Sequence, residues 1–122
     1  MSDYFEWNNF ENIYLEDSYV LGIDESQDSI VFSIEAVLCE NHPLYSEPLK
    51  NEQYCYRNGK IIFTGLKSVT WIEKTFRPST DATGEIDYGN IDAFKLTPNG
   101  YYLEGSWGEV VIDSDPPTIE LS

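Results

Sequence analysis

The segment Ser29–Leu38 alternates without a break, and this limits the folds open to the chain more than any other feature. Ile30, Phe32, Ile34, Ala36 and Leu38 recur at period two on one face. Ser33 and Glu35 fall on the other, with Val31 and Val37 beside them. Period two is the pleat of a half-buried β-strand. Turn-forming residues recur about every ten positions, and the segments between them alternate, which is the rhythm of a sandwich or barrel.

Residues 18–24 run into the polar stretch Glu25-Ser26-Gln27-Asp28 and predict a hairpin with Ser29–Leu38. From Cys39 to Asn51 the periodicity lapses, and Pro43 and Pro48 bar a central strand, so a long loop is expected. Asn58-Gly59 separates residues 53–57 from 60–64 and predicts a tight hairpin, because both central residues of a type I′ turn need positive φ. A strand is expected over 68–76, a polar and mobile loop over 77–84, and extended structure over 86–96. Pro98-Asn99-Gly100 is a tight turn. Residues 101–107 and 109–113 form a pair around Gly105 and Gly108. Pro116-Pro117 ends that pair, and Thr118–Leu121 adds a short edge strand. Trp7, Phe10, Ile13 and Tyr14, spaced three and four apart, predict one short helix over residues 7–15. The expected fold is therefore all-β. It is an antiparallel sandwich or partly open barrel of about seven or eight strands, with one short N-terminal helix. The 122 residues make a single domain, 1–122, with no linker or internal repeat.

Charge excludes whole classes of partner. Twenty-two Asp and Glu against seven Lys and Arg leave a formal charge of −15. Phosphate-led binding to nucleic acid and adsorption to an anionic membrane are both disfavoured. The first 49 residues hold 11 of the acids and not one Lys or Arg. Such a field steers a basic partner and makes the encounter salt-dependent. The N-terminus shows no basic start followed by an apolar run, and no segment is apolar over a membrane's span, so the cytoplasm is the expected compartment. Cys39 and Cys55 lack CxxC spacing and are read as free thiols, although a disulfide between them is geometrically open.

No standard reaction motif is present. One His and two scattered Cys do not make a zinc site. His42 precedes Pro43 in the expected loop and reads as a solvated histidine. There is no phosphate-cradling glycine motif and no nucleophile elbow. Glu16-Asp17, Asp24-Glu25 with Asp28, and Asp113 with Asp115 offer oxygen ligands for a weak calcium site, but none fits the EF-hand pattern. Neither a cofactor nor a metal is expected, and the chain reads as non-enzymatic.

Aromatic residues carry more information. Trp71, Phe63, Phe32, Phe94 and Trp107 are the expected core. Tyr101 and Tyr102 are adjacent in a strand, so both cannot be core if one face meets solvent. Tyrosines exposed among carboxylates suit protein recognition, because they give rigid contact area at low entropy cost. The candidate partner-binding residues are Glu16, Asp17, Asp24, Glu25, Asp28, Tyr54, Tyr56, Tyr88 and Tyr102.

The residues 10–21 (Phe-Glu-Asn-Ile-Tyr-Leu-Glu-Asp-Ser-Tyr-Val-Leu), then 59–63 (Gly-Lys-Ile-Ile-Phe), 87–92 (Asp-Tyr-Gly-Asn-Ile-Asp) and 103–110 (Leu-Glu-Gly-Ser-Trp-Gly-Glu-Val) carry a resemblance. In that order they resemble small acidic immunity-type proteins of bacterial polymorphic toxin systems and related uncharacterised families. The resemblance spans most of the chain and rests on strand and turn residues, with no catalytic motif to carry over. It implies a protein that binds and blocks a cognate toxin or nuclease, often basic. Exposed sheet edges offer a pairing surface, so a monomer or a dimer is expected. Two other readings stay open at this point. One is a carbohydrate-binding sandwich using Trp and Tyr, and the other is a hydrolase using paired carboxylates.

Overall fold

A computed structural model describes residues 2–7, 9–48, 54–75, 79–80 and 86–122. The chain forms β1 (Ser2–Asp3), a single 3₁₀ turn (Tyr4–Glu6), β2 (Ile13–Glu25), β3 (Ser29–Leu38), β4 (Cys55–Thr64) and β5 (Ser68–Lys74). Then follow β6 (Ser79–Thr80), β7 (Ile86–Asp87), β8 (Ile91–Thr97), β9 (Gly100–Gly105), β10 (Gly108–Asp113) and β11 (Thr118–Leu121). Among the described residues, eight strands have four residues or more, and every pairing is antiparallel. One sheet runs β1-β8-β9-β10-β5, the other β11-β4-β3-β2, and β6 pairs with β7. The two large sheets are not closed into a barrel.

The inward faces supply the core, as the alternation in β3 requires. Ile30, Phe32, Ile34 and Ala36 are fully buried, and so are Ile61, Phe63, Leu103, Val110 and Ile112 on other strands. Aromatic rings stitch the sheets together. Phe32 meets Trp107 at 5.3 Å, and Phe63 meets Phe94 at 5.8 Å and Tyr101 at 6.0 Å, all tilted or edge-on. Four of the five expected core aromatics are enclosed. Trp71 is half-buried and lies edge-on against Trp107 at 6.1 Å. Tyr101 points in and Tyr102 out, as their adjacency demands.

Two expectations fail. Asn58-Gly59 is not a turn, because both residues lie inside β4, which runs straight through them. Gly59 pairs with Ile34 on one side and Leu121 on the other. A Cβ there would sit 2.6 Å from the Glu120 carbonyl oxygen and 2.8 Å from Leu121 Cδ2. The glycine serves close approach of the last strand, not a positive φ. The helix expected over 7–15 is also absent. Asn9 and Asn12 take left-handed φ of 70° and 62°, which a helix excludes, and β2 begins at Ile13. The three- and four-residue spacing arises because successive turns drop Trp7 and Phe10 onto Phe94, at 4.9 and 5.8 Å, to close one end of the core. Tyr14 goes the other way and is exposed.

The remaining connections match the reading. Residues 26–28 join β2 to β3, Pro98 and Asn99 join β8 to β9, and Ser106 and Trp107 join β9 to β10. Residues 39–48 form no strand. Ser79 and Thr80 are extended where a loop was expected, and the rest of that loop, like residues 49–53, lies outside the described residues. Among the described residues, no helix is long and apolar enough to cross a membrane, which leaves membrane β-barrels untouched. Cys39 and Cys55 are both free. Leu38 pairs with Cys55, so Cys39 falls one residue out of register with it, exposed while Cys55 is buried.

Candidate functional site

A bulge in β2 builds the site. Between Tyr14 and Tyr19 the register with β3 shifts, and Ser18 turns inward to fill the gap. The Ser18 hydroxyl donates to the Tyr14 carbonyl and accepts the Val37 N–H, both at 2.8 Å. This satisfies buried backbone groups that the bulge would otherwise orphan. Tyr14 and Tyr19 are five positions apart, so a regular strand would aim them at opposite faces. The bulge brings both onto the outer face of the β11-β4-β3-β2 sheet.

Register places their neighbours. Tyr14, Val37 and Tyr56 form one row across the sheet, and Tyr19, Glu35 and Asn58 form the next. Val37 is only 3% exposed although it sits outside the inter-sheet core, flanked by tyrosines on both sides. The Tyr19 and Tyr56 rings lie 6.2 Å apart at 31°, and Tyr54 meets Tyr56 edge-on at 6.1 Å. The Asp17 carboxylate lies beside the Tyr54 hydroxyl. A cleft of about 460 Å³ opens beside this patch, bounded by Glu35, Ser46, Glu47, Tyr56, Arg57 and Asn58 among others. In the same region His42 Nδ1 accepts the Leu44 N–H at 3.0 Å, and burial together with Arg57 pulls the imidazole pKa down.

The other candidate residues do not join this patch. Glu16 is half-buried and accepts the Tyr4 hydroxyl, while its carbonyl accepts the Asn90 amide at 2.7 Å. It holds two segments onto β2. Glu25 accepts the Trp71 indole N–H at 2.8 Å and the Lys74 ammonium at 3.2 Å, tying the β2 tip to β5. Asp24 and Asp28 are exposed around that tip. Tyr88 is half-buried; its N–H donates to the Val20 carbonyl and the Val20 N–H donates to the Gly89 carbonyl, both at 2.8 Å, which continues the β2 edge. Tyr102 lies on the outer face of the other large sheet, where its hydroxyl donates to Glu109 at 2.6 Å. Asp17, Tyr54 and Tyr56 are thus brought together, with Tyr14, Tyr19 and Glu35 added by the fold. Glu35 was legible as outward-facing from the alternation in β3. Tyr14 and Tyr19 were not, because no sequence signal marks the bulge.

Acidic groups occupy both outer faces. On the β1-β8-β9-β10-β5 sheet, Glu104, Glu109 and Glu73 stand directly opposite one another across three strands. Like charges in that register destabilise a sheet. Among the described residues, no set of three or more His, Cys, Asp and Glu is arranged to hold a metal ion.

Part of the tyrosine signal is expected to resist alkali. Burial and the interaction with Tyr19 push Tyr56 up to about 12. Tyr54 is raised by the neighbouring Asp17 carboxylate, Tyr102 first by its bond to Glu109, and Tyr4 first by burial and then by Glu16. An unfolded tyrosine ionises near pH 10, about the point where the unfolded chain begins to release protons that the folded chain keeps. The stabilisation is complete below that pH and is lost as pH rises through the folded values. Phenolate absorbance is expected to show part of the tyrosine signal appearing only with unfolding. If all nine tyrosines titrated together near the ordinary value, with the fold intact, these bonds would be absent in solution.

Comparison with family models, with curated proteins and with solved structures gives no match.

Proposed function

We propose that this chain is a non-enzymatic binding protein for a cationic protein. The single observation behind this reading is the convergence of Asp17, Glu35, Tyr14, Tyr19, Tyr54 and Tyr56 on one sheet face in a chain of charge −15. Four rings supply contact area, and the ring contacts of Tyr56 with Tyr19 and Tyr54 limit the entropy lost on docking. Carboxylates at the patch, and across the rest of the surface, accelerate the encounter. The likeness to immunity-type proteins points the same way, to a basic toxin or nuclease as the partner, held in the cytoplasm. The carbohydrate reading is weaker, because Trp107 is fully enclosed and the Trp71 indole N–H is bonded to Glu25.

The test is capture from host-cell extract with two variants of equal charge. Asp17→Lys with Glu35→Lys alters the patch, and Asp24→Lys with Asp28→Lys alters the β2 tip. A basic protein retained by the wild type at low salt should be lost with the first variant and kept by the second. Equal retention by both variants, or no basic protein retained at all, would defeat the proposal.

A further inference from the structure

We infer that the cleft beside Tyr56 receives an arginine side chain of the partner in preference to lysine. This rests on the reading of the chain as a binder of a cationic protein, and names the group that anchors it. Glu35, Glu47 and Tyr56 line the cleft, and Asn58 and Ser46 add neutral polar groups. Its volume of about 460 Å³ lies within the range of sites that enclose small groups. Tyr56 is held by its contacts with Tyr19 and Tyr54, so the ring is in place before anything docks.

A planar guanidinium can lie against an aromatic face while its in-plane N–H groups donate to a carboxylate and to an amide oxygen. An ammonium is a compact, strongly hydrated point charge. It gains less from the ring and gives up more water to enter a half-enclosed space. The chain already carries one guanidinium on this wall. Arg57 Nε donates to the Ser122 backbone oxygen, which commits that side chain to the residue following β11. Its charge opposes any entering cation, so its removal should strengthen binding.

Labelled hexa-arginine and hexa-lysine peptides, followed by fluorescence anisotropy at about 100 mM salt, where screening acts over about 10 Å, test this. The wild type should bind hexa-arginine about five- to tenfold more tightly than hexa-lysine, a gap of the size a ring contact provides. Tyr56→Phe should keep the preference. Tyr56→Leu and Glu35→Gln should each reduce it toward unity, and Arg57→Gln should strengthen hexa-arginine binding. Circular dichroism of each variant confirms that the sheets persist. Equal affinity for the two peptides, or a preference that survives in Tyr56→Leu and Glu35→Gln, would overturn the arginine site and leave the cation-binding reading standing. Binding of neither peptide would overturn both.

Discussion

Trp107→Ala should cost about 3–5 kcal/mol, the range for removing a large aromatic from a packed core. Small domains hold about 5–15 kcal/mol in total, so the variant will be marginal at physiological temperature. Trp107 is fully buried at the β9–β10 turn, against Phe32 at 5.3 Å and Trp71 at 6.1 Å. Its indole N–H also donates to the Asn90 carbonyl at 3.0 Å, tying the turn to the segment ahead of β8. Gly105 is cut to fit it, because a Cβ there would lie 2.4 Å from Trp107 Nε1. Trp107→Phe keeps most of the ring packing but strands the Asn90 carbonyl, and should cost less, about 1–3 kcal/mol. Urea unfolding measures both. An alanine variant within about 1 kcal/mol of wild type would mean that this residue does not hold the sheets together.

Gly59→Val should loosen β11 from the sheet. The new side chain meets the Glu120 carbonyl and Leu121, so either β4 bends or the last strand moves. Overpacking of this kind costs about 1–3 kcal/mol. β11 is four residues long with one neighbour, so it is the part that yields. Its departure withdraws Ile119 and Leu121 from the core margin. Hydrogen exchange should show lost protection at residues 118–121 and retained protection in the β9–β10 hairpin. Unchanged protection at 118–121 would refute the close approach, and a global collapse would show that β11 is not separable.

The two variants also mark what the sequence could and could not reveal. Strict alternation in Ser29–Leu38 was sufficient to orient that strand, because burial on one face fixes a period-two pattern. Pro98-Asn99 and the glycines around Trp107 marked real turns, because local backbone chemistry decides them. Asn58-Gly59 carried an equally strong local signal and failed. Flanking strands and a late-arriving neighbour overrode it, and a glycine's need for space looks the same in sequence as its need for positive φ. The patch was half-visible for a related reason. Asp17, Tyr54 and Tyr56 were named from composition and exposure, but Tyr14 and Tyr19 reach one face only through the bulge at Ser18. Whether an acid is held by a bond within the chain, as Glu16 is by Tyr4 and Glu25 by Trp71 and Lys74, was not legible. That distinction depends on residues 12 to 49 positions away, beyond any local pattern.

The place of β11 in the chain has a consequence for synthesis. β4 ends at Thr64, and its second neighbour starts only at Thr118. At about 5–20 residues per second, a ribosome needs several seconds to deliver it. Throughout that interval the nascent sheet carries a raw flank that any extended peptide could occupy. Lys60 lies on that flank and later sits opposite Glu120. Until then its positive charge serves as a gatekeeper against intruding strands, a job it hands over once the native neighbour docks.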